Sequence, residues 1–419
     1  MGSSAGWELS KQGHEILLLE QQGAVYNIGS SLGEARIARS LGPEGDKWSF
    51  LHNRTVDLCH DLVDFLNKKE GGHQMSDIYH TSPVSYVRHT RQLSRIENIL
   101  LNQQDSFLFA STPDEGVELF DVSMTDSMLW LREYKLHSGT INPKALIEKL
   151  HTGIQYHGGE VQYKKRVTSL TKVGDLFELE VLDVSSNKTV TIRANQVITA
   201  AGPYTPNLLN SINPKITDII IPKRVFLAFL RLENTYYQQM SPEELLKLNE
   251  SYPVINSSAG TRQGSFFSMI EKSDELGPLI KIGGHFQRSD IENIDSVWFR
   301  TLGESEINWS HQHTLRYLRH LGLTIEADDL VYDSGYSCVY SLTSTEVPYI
   351  TYIPDKTGQK IENLVMMAGL SGVGAKGALA YGELASALIL NQEPIGSAMK
   401  NVMKEMGFSR LQEEMRSLD

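Results

Sequence analysis

The chain has 419 residues, of which 40% are hydrophobic and 21% charged, the composition of a water-soluble globular protein with two or three domains' worth of core. Its formal net charge of -12 at pH 7 argues against general affinity for nucleic acid or an anionic membrane surface. Its cysteines are Cys59 and Cys338 alone, which excludes a disulfide framework, and no apolar run reaches the roughly 18 residues that a membrane span needs.

The start of the chain predicts a helix followed by a buried strand. Small residues at Gly2, Ser3 and Ser4 suit a helix packed tightly against a sheet, and Gly13 ends it. The run EILLLE is typical of buried parallel strands, and Glu20 stands at its C-terminal end. In a dinucleotide-binding unit, an acid at this place accepts hydrogen bonds from a ribose hydroxyl. A generic helix and strand with a surface glutamate fits equally well, so both interpretations stay open at this point.

Further along the chain, predicted helices and strands alternate. Apolar spacing predicts helices over 47–68, 144–157, 242–250 and 309–321, the second of them capped by the pair Asn142-Pro143. The segments RVTSLTKV, LFELEVLDV and KTVTIRA alternate apolar and polar residues, as half-buried antiparallel strands do, and lead into a strand in QVITAAGPYT. The strand NLVMMAGL, the loop SGVGAKG and the helix ALAYGELASALIL come last. Without long linkers between them, these elements predict interleaved domains.

Five segments resemble, in order and spacing, the motifs of one family. They are GSSAGWELSKQGHEILLLEQ at the start, SSLGEARIARS at 30–40, LIKIGGH at 279–285, SGYSCVYSLTSTEVPYI at 334–350 and MAGLSGVGAKGALAYGELA at 367–385. From Gly2 to about Leu390 the chain resembles the D-amino-acid-oxidase-like FAD-dependent oxidoreductases, and within them the monomeric sarcosine oxidase and pipecolate oxidase group.

This resemblance implies an α/β fold in which a Rossmann-like FAD-binding domain is interleaved with a smaller substrate domain, an α+β unit built on an antiparallel sheet. The FAD-binding domain would be discontinuous and would take residues 1–75, 142–215 and 325–400. The substrate domain would take residues 76–141 and 216–324, and residues 401–419 would form a C-terminal helical tail.

Gly2 resembles the third glycine of the FAD fingerprint Gly-x-Gly-x-x-Gly, and Glu20 its ribose-binding acid. The first strand and the first two glycines of that fingerprint are absent from this sequence. One of those glycines makes a tight turn and the other lets backbone approach the pyrophosphate. We therefore expect an incomplete gene model, the interpretation we favour, or a truncated form that binds FAD poorly. Val167 matches a family strand on the adenine side of FAD, and Gly202 matches a turn that flanks the site. Both residues could equally have a purely structural role.

Arg36 and Arg39 lie three residues apart and would share one face of a helix. The resemblance implies that Arg39 binds the substrate carboxylate, for which the planar fork of a guanidinium is suited, and that Arg36 lies nearer the flavin. The alternative is a pair of solvated arginines. Leu32 stands where the family usually has His, which removes a polar group beside the flavin.

Lys281 is conspicuous within an apolar strand because an inward-facing lysine is costly unless it has a partner or a purpose. The resemblance implies that it stabilises superoxide as reduced flavin reacts with O₂. The alternative is a lysine on an edge strand, facing solvent. His285 matches an active-site histidine of the family, although a lone histidine is more often structural.

Cys338 and Tyr340 match a Cys-x-Tyr element. The resemblance implies a covalent thioether from Cys338 to the flavin 8-methyl carbon, and a place for Tyr340 in the wall of the substrate pocket. Without the resemblance, a single cysteine is usually a small buried hydrophobic residue.

Gly372 and Gly374 lie in a loop that would bring backbone N–H groups to the flavin, since glycine permits close backbone approach. Lys376 matches a lysine that would help Arg39 to hold the substrate carboxylate.

The same loop departs from the family. Val373 and Ala375 replace its usual His and Phe, and Phe267 aligns with a pocket Tyr. With Leu32, these changes make the site more apolar. We expect a substrate bulkier than sarcosine.

The function implied is an FAD-dependent oxidase that converts the C–N bond of a secondary or primary amino acid, with O₂, to an imine and H₂O₂. We expect a monomer without a metal that acts on a small amine substrate inside the cell. The location would be cytoplasmic or peroxisomal, although the C-terminal Ser417-Leu418-Asp419 is no peroxisomal Ser-Lys-Leu signal. A flavin-dependent dehydrogenase or demethylase of the same fold, and a truncated non-catalytic isoform, stay open as alternatives.

Overall fold

The computed structural model describes residues 1–24, 28–38, 41, 46–101, 106–134, 137–251, 254–259, 262–286, 288–298, 300–393 and 396–418. Arg39, one of the predicted site residues, lies outside the described residues. No helix in the described ranges combines the length and the apolar character that crossing a membrane requires.

The helices and strands alternate along the whole chain. The helices are α1 (Gly2–Ser10), α2 (Lys47–Lys69), α3 (Leu93–Leu100), α4 (Pro113–Phe120), α5 (Pro143–Tyr156), α6 (Thr205–Leu209), α7 (Ile216–Ile219), α8 (Asn234–Gln239), α9 (Pro242–Ser251), α10 (Ile294–Val297), α11 (Glu304–His320), α12 (Ala378–Ile389), α13 (Ser397–Met406) and α14 (Phe408–Arg416). The strands are β1 (Leu17–Glu20), β2 (Arg36–Ile37), β3 (Tyr79–Thr81), β4 (Val84–His89), β5 (Phe107–Ala110), β6 (Met128–Glu133), β7 (Gly139–Ile141), β8 (Glu160–Tyr163), β9 (Lys165–Val173), β10 (Leu176–Asp183), β11 (Lys188–Ala194), β12 (Val197–Thr199), β13 (Ile221–Leu232), β14 (Val254–Ser258), β15 (Phe266–Asp274), β16 (Gly277–Gly284), β17 (Ser289–Asp290), β18 (Leu330–Leu342), β19 (Tyr349–Pro354) and β20 (Lys360–Ala368).

The predicted α/β fold class is confirmed, and the structure contains a mixed, many-stranded sheet. The largest sheet has the order β17-β13-β16-β15-β14-β4-β6-β5, with β18 also paired to β13, and its pairs are antiparallel except for β14 with β4. Parallel pairs also join β1 to β8 and β12 to β20. The predicted meander is present as the antiparallel sheet β11-β10-β9.

The domain boundaries remain a prediction, and the pairing of β18 joins two segments that were predicted to lie in different domains. β18 begins beyond the predicted boundary at residue 325, yet it pairs along its length with β13. The register sets Cys338 opposite Val225 and Tyr340 opposite Lys223. The sheet predicted to carry substrate residues therefore also carries the cysteine predicted to hold the flavin.

Helix α1 is buried on nearly every side, as its small residues predict. It packs against α5, α12 and the two parallel strands β1 and β12. The Ser4 hydroxyl donates to the carbonyl of Ala378 at 2.8 Å, and a Cβ added at Gly382 would lie 2.7 Å from the Ser4 hydroxyl oxygen. Such an approach is possible only where both helices present small side chains.

The prediction that Arg36 lies on a helix is wrong. Arg36 belongs to the short strand β2, where it pairs with Ile141 of β7. Backbone pairing with a strand more than 100 residues later, an interaction that helical spacing does not reveal, decides the conformation here.

Candidate functional site

One large cavity brings most of the predicted site residues together. Its volume is about 1470 Å³, and it runs between α1, β1, β9, β12, β18 and the loop before α12. The predicted residues in its wall are Gly2, Glu20, Arg36, Val167, Gly202, His285, Cys338, Tyr340, Gly372, Gly374 and Lys376.

One end of the cavity has the features expected around a nucleotide. Gly2 opens α1, so the positive end of the helix dipole faces the cavity. A Cβ on Gly2 would lie 3.4 Å from the Ala200 side chain, an ordinary van der Waals contact. Glu20 ends β1, and its carboxylate accepts a hydrogen bond from the Gln22 amide at 2.8 Å. Val167 of β9 and Gly202, which has a φ of +56°, complete this end.

Cys338 lies deeper in the wall, on β18. Its side chain is buried, and its Sγ is 3.1 Å from the Ser30 hydroxyl. Burial raises the pKa of the thiol, against the opposing effects of Ser30 and of the Arg36 guanidinium. A neutral thiol is therefore the resting form.

Arg36 fixes the loop in front of Cys338. Its guanidinium donates to the carbonyls of Ala35 at 2.8 Å and Leu32, and to the Tyr336 hydroxyl at 3.0 Å. Tyr336 in turn donates to the Leu32 carbonyl at 2.8 Å. The alternative of a solvated arginine does not hold for Arg36, because its donors are used to hold the loop.

Lys281 is fully buried on β16, a central strand between β13 and β15, so it is not an edge-strand lysine. Its ammonium group is ion-paired with Glu271 and donates to the Ala35 carbonyl at 2.7 Å. Burial, the largest effect, and the nearby Arg36 charge lower its pKa to about 7, although Glu271 acts in the opposite direction. Lys281 is not among the residues described in the cavity wall. Sequence reasoning missed Glu271, whose carboxylate also accepts from the amides of Glu34 and Ala35.

Tyr340 and the loop before α12 face each other. Gly372 has a φ of +85°, and a Cβ at this position would lie 2.8 Å from the Tyr340 ring. Glycine is therefore required here both for the backbone conformation and for the contact. Burial raises the pKa of Tyr340 to about 12, so its hydroxyl stays protonated.

A hydrogen bond from its neighbour Arg288 fixes the tautomer of neutral His285. Its Nδ1 accepts a hydrogen bond from Arg288, which is also ion-paired with Glu346 at 2.6 Å. Because an arginine always donates, this bond places the proton of the neutral ring on Nε2.

Lys376 is partly buried in the cavity wall. A second cation, Arg88, lies close to it and was not predicted from the sequence. Burial, the largest effect, and the charge of Arg88 lower the pKa of Lys376 to about 8. Arg88 lies on β4, is 8% exposed and also lines the cavity. A signal did exist, because alternation along β4 places Arg88 and the cavity-lining Tyr86 on the same face.

No cluster of His, Cys, Asp and Glu suited to a metal ion is present in the described ranges.

Comparison with known proteins agrees with this geometry. The family model described as FAD dependent oxidoreductase, the DAO family, matches residues 1–388. This chain belongs to that family. It is 22% identical over 419 residues to a probable sarcosine oxidase of Arabidopsis thaliana, covering 99% of this chain and 91% of the relative. It is 24% identical over 395 residues to the monomeric sarcosine oxidase of Bacillus sp. (strain NS-129), covering 91% and 88%.

Among solved structures, the fold is similar to that of the Tyr258Phe mutant of NikD, an unusual amino acid oxidase essential for nikkomycin biosynthesis, in its open form. The TM-score is 0.70 at 16% sequence identity, over 97% of this chain and 93% of NikD. This likeness shows the fold.

The cavity fits the FAD that defines the family. Its volume of about 1470 Å³ exceeds the roughly 300–1,000 Å³ of ordinary small-molecule pockets, as a dinucleotide requires. Gly2 opens α1 at the cavity, and Gly372 has a backbone conformation that favours glycine. FAD would be held by the α1 N-terminus, by Glu20 and by the loop before α12.

Proposed function

We propose that this protein oxidises the C–N bond of a secondary or primary amino acid and reduces O₂, giving an imine and H₂O₂. The substrate loses two electrons and two protons, and the imine is then hydrolysed. The observation that carries the proposal is the single cavity that joins the nucleotide end at Gly2 and Glu20 to a pocket containing Lys376 and Tyr340. The names of the two sarcosine oxidase relatives support this reaction class.

Bound FAD would accept the two electrons and deliver them to O₂. Lys376, together with Arg39, would hold the substrate carboxylate and so fix the orientation of the C–N bond. An acid–base pair is not required if the amine binds in its neutral form. His285 suits that scheme, because its Nδ1 is already occupied by Arg288 and its Nε2 can only donate while the ring is neutral.

The pocket wall favours a substrate bulkier than sarcosine. Phe267, Val373 and Ala375 all line the cavity and offer no hydrogen-bonding side chain. Burial of a larger apolar substituent against such a surface makes the free energy of binding more favourable. If sarcosine had the highest kcat/KM in a panel of N-methyl, cyclic and primary amino acids, this part of the proposal would be wrong.

We further propose that Cys338 carries the flavin covalently. Its position in the cavity wall beside Ser30 supports this role. Acid precipitation of the purified protein tests it, because covalent flavin stays in the pellet and free FAD passes to the supernatant. Cys338→Ser is the matched control, and it should move the yellow colour to the supernatant while the fold is retained.

One observation favours a dehydrogenase instead. Lys281 is paired with Glu271, and a carboxylate beside the ammonium group weakens the positive field that would stabilise superoxide. Lys281→Met distinguishes the two functions when the oxidative and reductive half-reactions are followed separately by stopped-flow absorbance. An oxidase loses rate only in the reaction with O₂. If the rate with O₂ is unchanged in the variant, and a quinone dye takes electrons from the reduced protein faster than O₂ does, the protein is a dehydrogenase.

The first experiment is a spectrum and an oxygen-electrode assay on the same preparation. A flavin spectrum with amine-dependent O₂ uptake and stoichiometric H₂O₂ supports the proposal. A flavin spectrum without turnover of any amine would reject it, and a colourless protein that FAD does not restore would favour the non-catalytic alternative.

A further inference from the structure

Arg88 and Lys376 are two cations in one cavity wall without an acidic partner. Within the described ranges, no carboxylate lies in ion-pair distance of either side chain. Among the other described cations of this region, Lys281 pairs with Glu271 and Arg288 with Glu346, whereas the Arg36 guanidinium donates to backbone carbonyls and to Tyr336. Burial, its largest cause, lowers the pKa of Arg88 to about 10, which is the effect expected when a buried guanidinium lacks a counter-charge.

The orientation of Arg88 is fixed by its neighbours. Its Nη1 donates to the carbonyls of Val87 at 2.9 Å and Asn256 at 2.6 Å, and its Nη2 donates to Asn256 Oδ1 at 2.7 Å. The guanidinium also lies over the Tyr86 ring, 5.2 Å from its centroid. An arginine held in this way has lost its conformational freedom before any ligand arrives.

These bonds leave one side of the fork for a ligand. Both hydrogens of Nη1 and one of Nη2 are used, and no hydrogen bond within the described part of the chain uses Nε–H or the second Nη2–H. Nε–H and the outer Nη2–H point the same way and match the spacing of two carboxylate oxygens. Asn256 also lines the cavity, so the whole arrangement borders on the space where a substrate would lie.

We propose that the substrate carries two carboxylates, the first bound by Lys376 and the second by Arg88. The proposal rests on the proposed function and names its substrate class, a dicarboxylic amino acid or amine. A carboxylate held by Lys376 leaves the buried guanidinium of Arg88 uncompensated, and a second carboxylate on the substrate would neutralise it. The second carboxylate belongs either to the side chain or to the substituent on nitrogen.

The test compares matched substrates that differ in that group alone. Iminodiacetate against sarcosine offers the second carboxylate on nitrogen, and aspartate against asparagine offers it on the side chain, in both enantiomers. We expect kcat/KM to be about 10- to 100-fold higher for the dicarboxylate of one pair, the effect of a charged hydrogen-bonded contact. The pair that shows the preference identifies the source of the carboxylate. Equal values in both pairs would overturn the proposal.

Variants then connect the preference to Arg88. Arg88→Leu should abolish it, Arg88→Lys should keep part of it, and Asn256→Ala should reduce it because Arg88 loses its orienting acceptor. Arg95→Leu is the control, since this exposed side chain adds positive charge nearby without reaching the cavity wall, and the preference should survive. A preference unchanged in Arg88→Leu, with an unchanged melting temperature, would contradict the assignment.

A binding measurement separates this inference from the proposed reaction. Isothermal titration calorimetry compares thiodiacetate with (methylthio)acetate, neither of which is an amine. Tighter binding of thiodiacetate that disappears in Arg88→Leu would support the dicarboxylate site even if no amine were oxidised, a result that would reject the proposed function alone. Equal binding of the two acids would reject the site.

Discussion

Lys281 and Glu271 form an ion pair whose side chains are only 0% and 6% exposed. Each partner is tied to the same loop, Lys281 through the Ala35 carbonyl and Glu271 through the amides of Glu34 and Ala35. Removal of one partner leaves the other charge buried and uncompensated. The pair therefore links the large sheet to the loop that directly precedes Arg36 and β2.

We expect Lys281→Met and Glu271→Gln each to destabilise the protein by about 3–5 kcal/mol, and the double variant to lose less than the sum. The measurement is urea unfolding at pH 6, which is below the pKa of about 7 for Lys281, so that its ammonium group is charged. Additive losses would show that the two side chains do not interact.

The lowered pKa of Lys376 predicts that the binding of carboxylates depends on pH. Burial lowers its pKa to about 8, so it is charged below that pH and loses its charge as the pH rises through it. The affinity for (methylthio)acetate, which does not titrate in this range, should therefore fall by about tenfold per unit above pH 8. Calorimetry from pH 6.5 to 9.5 measures this. Lys376→Arg should bind with constant affinity over the range, and a wild-type profile as flat as that of the variant would exclude Lys376 as a carboxylate ligand.

At the scale of elements, the loop between β20 and α12 depends on one glycine more than on another. Gly372 needs its positive φ and has the Tyr340 ring against it, whereas Gly374 has no positive φ and would meet only the flexible Leu370 side chain, at 3.3 Å. We expect Gly372→Ala to cost about 1–3 kcal/mol and to weaken FAD binding, and Gly374→Ala to cost less. Thermal unfolding and FAD titration of the two variants measure the difference. Equal effects would show that neither the φ of Gly372 nor Tyr340 constrains the loop.

The sequence predicts elements well where the signal is local. Asn142 caps α5 through the amide of Ala145, and Pro143 occupies its first position, as their spacing indicates. By contrast, Arg36 was assigned to a helix, but pairing with β7 makes it a strand residue. Glu271 and Arg88 were not predicted, because the contacts that give them a role are with Lys281 on the neighbouring strand and with Lys376 far along the chain, and no window of sequence shows which side chains meet. The sequence therefore indicated which residues line the cavity. It did not indicate Glu271, which pairs with Lys281, or Arg88, which lies near Lys376.

At the scale of the whole molecule, the parallel strands β1 and β12 line the same cavity but belong to different sheets. In the part of the chain that the structure describes, β1 pairs only with β8 and β12 only with β20. Helix α1 packs across both strands, and Leu17 of β1 is 41% exposed. The edges of β1 and β12 that the described strands leave unpaired carry backbone donors and acceptors with which a further strand can pair.

We therefore expect an added N-terminal strand to stabilise the protein. The variant carries, before Gly2, about six apolar residues, a Gly-x-Gly turn and the two residues that the fingerprint places between that turn and its third glycine, a strand long enough to pair with both edges. Its melting temperature and FAD affinity should rise, and the amides of β1 and β12 should exchange with solvent more slowly. The control has the same extension with proline at alternate positions, which removes the N–H groups that pairing needs. If both extensions left melting temperature, FAD affinity and amide exchange unchanged, the edges of β1 and β12 would not be the site where a strand docks.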